Sequence, residues 1–183
     1  RVLKYPAANL STGGAATVAL GQTDLTSRTN GNTATTMKNA TSITFDSSGN
    51  LWVADTGSNR ILKYPAANLS TGGAATVALG QSDLTSDAKG ITATTMTNAT
   101  GIDFDSSGNL WVADKGNSRV LKYPAANLST GGAATVALGQ SDLTSDAKGI
   151  TATTMTNATN VAFDSSGNLW VADKGNSRVL KYP

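Results

Sequence analysis

The chain repeats itself with a period of 59 residues. Arg1-Val-Leu-Lys-Tyr-Pro6 returns at 60–65 (with Ile61 for Val), 119–124 and 178–183. The 183 residues are therefore three units, 1–59, 60–118 and 119–177, plus an extra six-residue copy at 178–183. This periodicity constrains the fold more than any other property, because each unit must be a supersecondary module that buries its apolar faces against copies of itself. The chain starts inside a repeat and without Met, so it reads as an excerpt, a processed product or an engineered cut.

The module can be read within one period. Residues 119–123 (RVLKY) form a β-rich run ended by Pro124, and 134–138 (ATVAL) form another closed by Gly139. Residues 161–163 (VAF) and 169–172 (LWVA) flank the turn DSSGN at 164–168, where Gly167 supplies the positive φ of a short hairpin loop. A second tight turn, DKGNS at 173–177, again with a central Gly, leads into the next RVLKY run. The stretch 125–132 is a loop by composition, and 140–159 is an ordered connection pinned by Leu143, Ile150 and Met155. Each unit thus predicts a four-stranded antiparallel meander carrying one Phe, one Trp and one Tyr. Small sheets packed on both faces against similar sheets are β-propeller blades, so the expected class is all-β.

The stretch NATGIDFDSSGNLWVADKGNSRVLKYP at 98–124 resembles the NHL repeat, in its D-x-x-G-N turn, its aromatic-V-A-D strand, its G-N-x-R turn and its R-V strand. ALGQSDLTS at 137–145 is similar to the outer strand and following loop of the long bacterial and archaeal extracytoplasmic subset of that family. The first unit departs modestly, with DTGSNR at 55–60 and RTNGN at 28–32. The resemblance implies a strand order, from the ring axis outward, of I-D-F, L-W-V-A-D, R-V-L-K-Y and A-T-V-A-L. It also implies a six-bladed ring, of which three blades are half, and hence a homodimer. Some members are lyases with His ligands around a central metal, and the corresponding strand positions here hold Thr44, Asp103 and Ala162.

Composition narrows the chemistry further. The chain has no Cys and no His, and all twelve acidic residues are Asp. Disulfides, Cys or His metal sites, His-based triads and Glu acids are therefore excluded within it. Lys115 and Lys174 lie on turns without an S-x-x-K pattern. The pair Asp105 with Asp114 recurs as Asp164 with Asp173, and repetition suits structure better than one active site. The Asp of V-A-D is expected to accept hydrogen bonds from the following turn, near Arg119 or Arg178. The DSSGN turn superficially resembles a calcium loop but lacks the bidentate Glu and the D-x-D-x-D-G spacing. No cofactor is expected.

Formal charge is +2, from 14 basic and 12 acidic residues interleaved through every unit, which argues against a nucleic-acid partner. No apolar run is long enough to span a membrane. Trp52, Trp111 and Trp170 could stack on sugars, but packing between blades is the simpler expectation. Six sequons are readable, at Asn9, Asn68 and Asn127 (N-L-S) and at Asn39, Asn98 and Asn157 (N-A-T). Propeller geometry would gather Asp87, Lys89, Asp146 and Lys148 on one face with Lys115, Asn117, Lys174 and Asn176, the candidate binding face. The expected function is a non-enzymatic, extracellular or cell-surface scaffold for multivalent protein or glycan recognition. The alternatives are a structural block of a longer array or filament, or an engineered or duplicated self-assembling fragment.

Overall fold

The computed structural model describes all 183 residues. Thirteen strands are joined by turns and loops, the only helix being six single turns of 3-10: β1 (Val2–Lys4), β2 (Val18–Leu20), β3 (Ala40–Phe45), β4 (Leu51–Asp55), β5 (Arg60–Tyr64), β6 (Val77–Leu79), β7 (Ala99–Phe104), β8 (Leu110–Asp114), β9 (Arg119–Tyr123), β10 (Val136–Leu138), β11 (Ala158–Phe163), β12 (Leu169–Asp173) and β13 (Arg178–Tyr182). They form two complete antiparallel blades, β3-β4-β5-β6 and β7-β8-β9-β10, a third blade of three strands, β11-β12-β13, and a separate pair β1-β2. Each complete blade is a meander in the expected strand order. No helix is long and apolar enough to cross a membrane.

Alternation along the second strands assigns one face of each blade to each neighbour. Trp52 and Ala54 join a buried cluster with Ile102, Val112 and Leu121 of the second blade. Leu51 and Val53 instead pack on the other side with Leu20 and Met37. One blade further on, Ala113 and Val120 meet Val161, Leu169 and Val171 of the third blade. The core is therefore a set of inter-blade layers, each completed only when two blades stack.

The turns differ in where their strain sits. The DSSGN hairpins place Gly49, Gly108 and Gly167 at φ of 77°, 78° and 83°, as the sequence predicts. In the second turn the central Gly is not the left-handed residue. That conformation falls on Asn59, Ser118 and Ser177, each at φ 51°, and the glycine is required by crowding: a Cβ on Gly116 would lie 2.6 Å from the Thr97 carbonyl oxygen. The long connections also differ from expectation. Met155 is buried and Leu143 half-buried, but Ile150 is exposed and anchors nothing.

Candidate functional site

The strongest electrostatic feature is a buried ion pair repeated at the turn between second and third strands. Asp114 ends β8 and Arg119 begins β9, directly opposite in register, and Arg119 Nε donates to Asp114 Oδ2 at 2.7 Å with both side chains fully enclosed. Asn117 Nδ2 donates to the same oxygen at 2.8 Å, and the Thr97 N–H donates to Oδ1 at 2.7 Å. The remaining guanidinium hydrogens reach four carbonyls, those of Ile91, Thr92, Thr95 and Leu143, at 2.6 to 3.1 Å. Arg119 thereby ties the connection entering its own blade to the one leaving it. Asp55 with Arg60 repeats the arrangement at 2.9 Å. Asp173 with Arg178 repeats it at 2.7 Å, but there Arg178 is partly exposed.

Environment separates the copies electrostatically. Burial pushes the Asp114 carboxyl up, against the pull of Arg119. At Asp173 burial also raises it, but donation from Asn176, the Thr156 N–H and Arg178 outweighs that and leaves it below its usual value.

The Asp of each DSSGN turn has a different task. Asp105 Oδ1 accepts from the backbone of Ser107 and Asn109, while Oδ2 accepts from Asn109 Nδ2 at 2.8 Å and from the Trp111 indole N–H at 3.0 Å. Asp46 and Asp164 hold Trp52 and Trp170 in the same way. Asp105 and Asp114 thus sit at opposite ends of β8, and five residues rising roughly 3.3 Å each keep them farther apart than the pairs that cleave glycosides. Asp103 is also occupied, accepting from its neighbour Phe104 N–H and from Phe163 N–H of the next blade at 2.9 Å. No group of three carboxylates gathers where a cation could be held.

Several of these carboxyls are more acidic folded than free. Hydrogen bonds to the Thr144 backbone and hydroxyl, then Ser145, bring Asp142 down to about 2. Asp83, held first by Ser86 and then Thr85, and Asp164, held first by Trp170 and then Asn168, lie lower still. A carboxyl depressed on folding adds stability that is complete above its unfolded pKa of about 3.9 and vanishes as pH falls through the folded value. These turns are therefore expected to make the melting midpoint fall steadily between about pH 4 and 2, while Asp114, raised by burial, contributes with the opposite sign and favours the fold as it is protonated. A midpoint constant down to about pH 2 would show that these turns do not persist in solution.

The proposed face residues fall into two linked groups. Asn117 Nδ2 donates to the Gly90 carbonyl at 2.8 Å, fastening the loop of Asp87 and Lys89 beside the turn of Lys115. Asn176 Nδ2 does the same to Gly149 at 2.7 Å, joining Asp146 and Lys148 to the turn of Lys174. Asn117 is itself buried, so it acts as a fastener. Asp87 pairs with Lys38, and its backbone carbonyl accepts from Asn59 Nδ2. Lys89, Asp146, Lys148 and Lys174 are exposed and make no ion pair. Among the sequons, Asn9, Asn68 and Asn127 are half-buried and use Nδ2 to close their own loops onto Ala15, Ala74 and Ala133. Asn98 and Asn157 are half-buried in left-handed conformations, and Asn39 is exposed.

Sequence reasoning placed an Arg near the V-A-D carboxylate but missed its reach to four carbonyls. The available signal was one Arg per period at the mouth of a long connection without secondary structure.

With this geometry in hand, comparison with known proteins gives one family and one fold. The NHL repeat profile matches residues 38–64, 96–123 and 156–182, so the chain carries three NHL repeats, one on the inner three strands of each blade. No curated protein matches it in sequence. Among solved structures it is similar to a protein of unknown function from Bacteroides thetaiotaomicron, with TM-score 0.55 and 16% identity over 73% of this chain and 32% of that one. It is also similar to the extracellular domain of a hybrid two-component system from the same organism, with TM-score 0.51 and 19% identity over 90% of this chain and 20% of that one. Virginiamycin B lyase from Staphylococcus aureus matches at TM-score 0.47 and 13% identity, over 79% of this chain and 41% of that one. The chain spans less than half the length of each of these proteins, and at such identities the likeness is one of fold alone.

Proposed function

We propose that this propeller segment is a non-enzymatic interaction module that presents a rigid, charged loop face to a protein or glycan ligand outside the cell. The observation that carries the reading is a division of labour among the charged groups. The paired Asp and Arg at the second turn of every blade are consumed in holding loops, whereas Lys89, Asp146, Lys148 and Lys174 stand exposed and unpaired on loops and turns fastened by Asn117 and Asn176. A fixed scaffold with free charges favours recognition, because little ordering entropy remains to be lost on binding. The repeat spaces similar groups on adjacent blades, which suits a multivalent ligand. Asp105 and Asp114, the carboxylate pair weighed for acid–base chemistry, are separated by a strand and committed to hydrogen bonds, which supports the non-enzymatic reading.

The test is binding to peptide and glycan arrays, followed by the double change Lys89→Glu and Lys148→Glu. A ligand found for the unaltered chain is expected to bind at least about tenfold more weakly to the variant, with no change in melting midpoint. Binding indifferent to both substitutions would move the site elsewhere. A purely structural role in a larger array is the second reading, and the apolar residues left open at both ends of the blade stack favour it.

A further inference from the structure

The two ends of the blade stack are complementary halves of the contact that repeats inside it. At both internal junctions the Trp of one blade meets the Phe of the next edge to face, Trp52 with Phe104 at 5.8 Å between ring centroids and Trp111 with Phe163 at 5.9 Å. Inner-strand threonines repeat the same handover: Thr41 Oγ1 donates to the Thr100 carbonyl and Thr100 Oγ1 to the Thr159 carbonyl, both at 2.9 Å. The third blade then ends on a Trp without a Phe, and the first begins on a Phe without a Trp. Trp170 is 40% and Val179 63% exposed, whereas Trp52, Ile61 and Val120 at equivalent positions are 0% exposed. On the opposite edge Ile43 is 49% and Phe45 56% exposed, against 4% for Ile102 and 3% for Val161. Single exposed apolar residues are ordinary, but two clustered sets at positions that are buried or half-buried at the internal junctions, where Trp111, Phe104 and Phe163 are half-buried, mark an interface.

The third blade also lacks an outer strand, and β2 is a spare one. It pairs with β1 as Val2↔Leu20, Leu3↔Ala19 and Lys4↔Val18. The complete first blade uses the same register, Ile61↔Leu79, Leu62↔Ala78 and Lys63↔Val77. Val179-Leu180-Lys181 of β13 repeats Val2-Leu3-Lys4 residue for residue. β2 already holds an outer-strand position relative to the first blade, since its Ala19 N–H donates to Thr71 Oγ1 at 3.1 Å as Ala78 N–H donates to Thr130 Oγ1. β1 therefore stands where β13 of another copy would stand.

We propose that a second copy of this chain occupies both edges, with β2 of the second copy pairing with β13 to complete the third blade and Trp170 packing on Phe45 of the second copy. β1 is the strand displaced. It gives up three pairings, whereas β13 would give up five together with the Arg178 to Asp173 ion pair. Three blades per chain allow closed rings only in multiples of three, and six is the multiple within the range of about four to eight blades that closed propellers use. Each copy carries one edge of each kind, so two copies leave none open. The association is independent of any ligand on the loop face.

Sedimentation equilibrium on the unaltered chain, Phe45→Asp, Trp170→Asp and an equimolar mixture of the two variants tests this. The unaltered chain is expected at twice the chain mass at micromolar concentration, and each variant at the chain mass because both of its junctions carry a buried Asp. The mixture is expected to regain the double mass, because one of its two junctions carries neither substitution; this also shows that both variants fold. Deleting residues 1–6 is expected to preserve the dimer and tighten it. A monomeric unaltered chain, dimers that survive both single substitutions, a mixture that stays monomeric, an open ladder of masses, or dissociation on deleting 1–6 would each overturn the proposal.

Discussion

Arg119→Ala is expected to lower folding stability by about 3 to 5 kcal/mol, the usual cost of stripping the partner from a buried carboxylate. The change leaves Asp114 enclosed with only Thr97 and Asn117 as donors and strands four carbonyls of the two long connections. Arg178→Ala removes the same residue from the same motif, but Arg178 is partly exposed and water can solvate what it leaves. Its cost is expected to be under half as large, roughly 1 to 2 kcal/mol. Urea unfolding in the Phe45→Asp background, where the edges are kept apart, makes the comparison. The double change Arg119→Ala with Asp114→Ala is expected to recover part of the loss, since it removes the unpaired charge. Equal losses at Arg119 and Arg178 would mean that the ion pair acts locally and that enclosure by the neighbouring loops is irrelevant.

That contrast also shows what the sequence could and could not reveal. Periodicity, alternation and turn residues placed the strands closely: the run read at 119–123 is β9, and the run read at 169–172 is β12 with one residue added. The outer strand is shorter than its apolar run, Val136–Leu138, because the Ala134 N–H is taken by the Ala93 carbonyl of a preceding loop. The inner strand is longer than read, Ala158–Phe163, because a bulge between Ala158 and Asn160 carries weakly patterned residues into the sheet. Ile150 has the hydrophobicity of an anchor, yet apart from Leu143 and Met155 this connection is held by polar means: Gln140 to the Ala147 carbonyl, the Thr144 N–H to Asp142, and Arg119 to the Leu143 carbonyl. Backbone carbonyls have no residue signature, so bonds to them cannot be read from a sequence. The same blindness hid the fastening role of Asn117, whose residue type alone suggests an exposed turn. Identical repeats exaggerate the difficulty, since Trp52, Trp111 and Trp170 share one local sequence and have three different exposures.

Those three exposures lead to the second large effect. Trp52→Ala is expected to cost about 3 to 5 kcal/mol, by emptying a fully buried site between the first two blades. The loss includes the edge-to-face contact with Phe104, worth about 0.5 to 1.5 kcal/mol beyond area, and a donor to Asp46. Trp170→Ala in the same monomeric background removes the same indole from the same strand position. There the ring still donates to Asp164 and lies 5.5 Å from Lys181 Nζ, but it has no Phe against it and one face open to water. Its truncation leaves little cavity, and the cost is expected to be roughly 2 kcal/mol. In the unaltered background, at concentrations where two copies associate, the Trp170 cost should rise toward that of Trp52, because the lost contact is then between blades. Denaturant melts at two protein concentrations separate these contributions. If Trp170→Ala costs as much as Trp52→Ala even in the dissociated chain, the indole matters through its own hairpin, and packing between blades is not what fixes a Trp in every repeat.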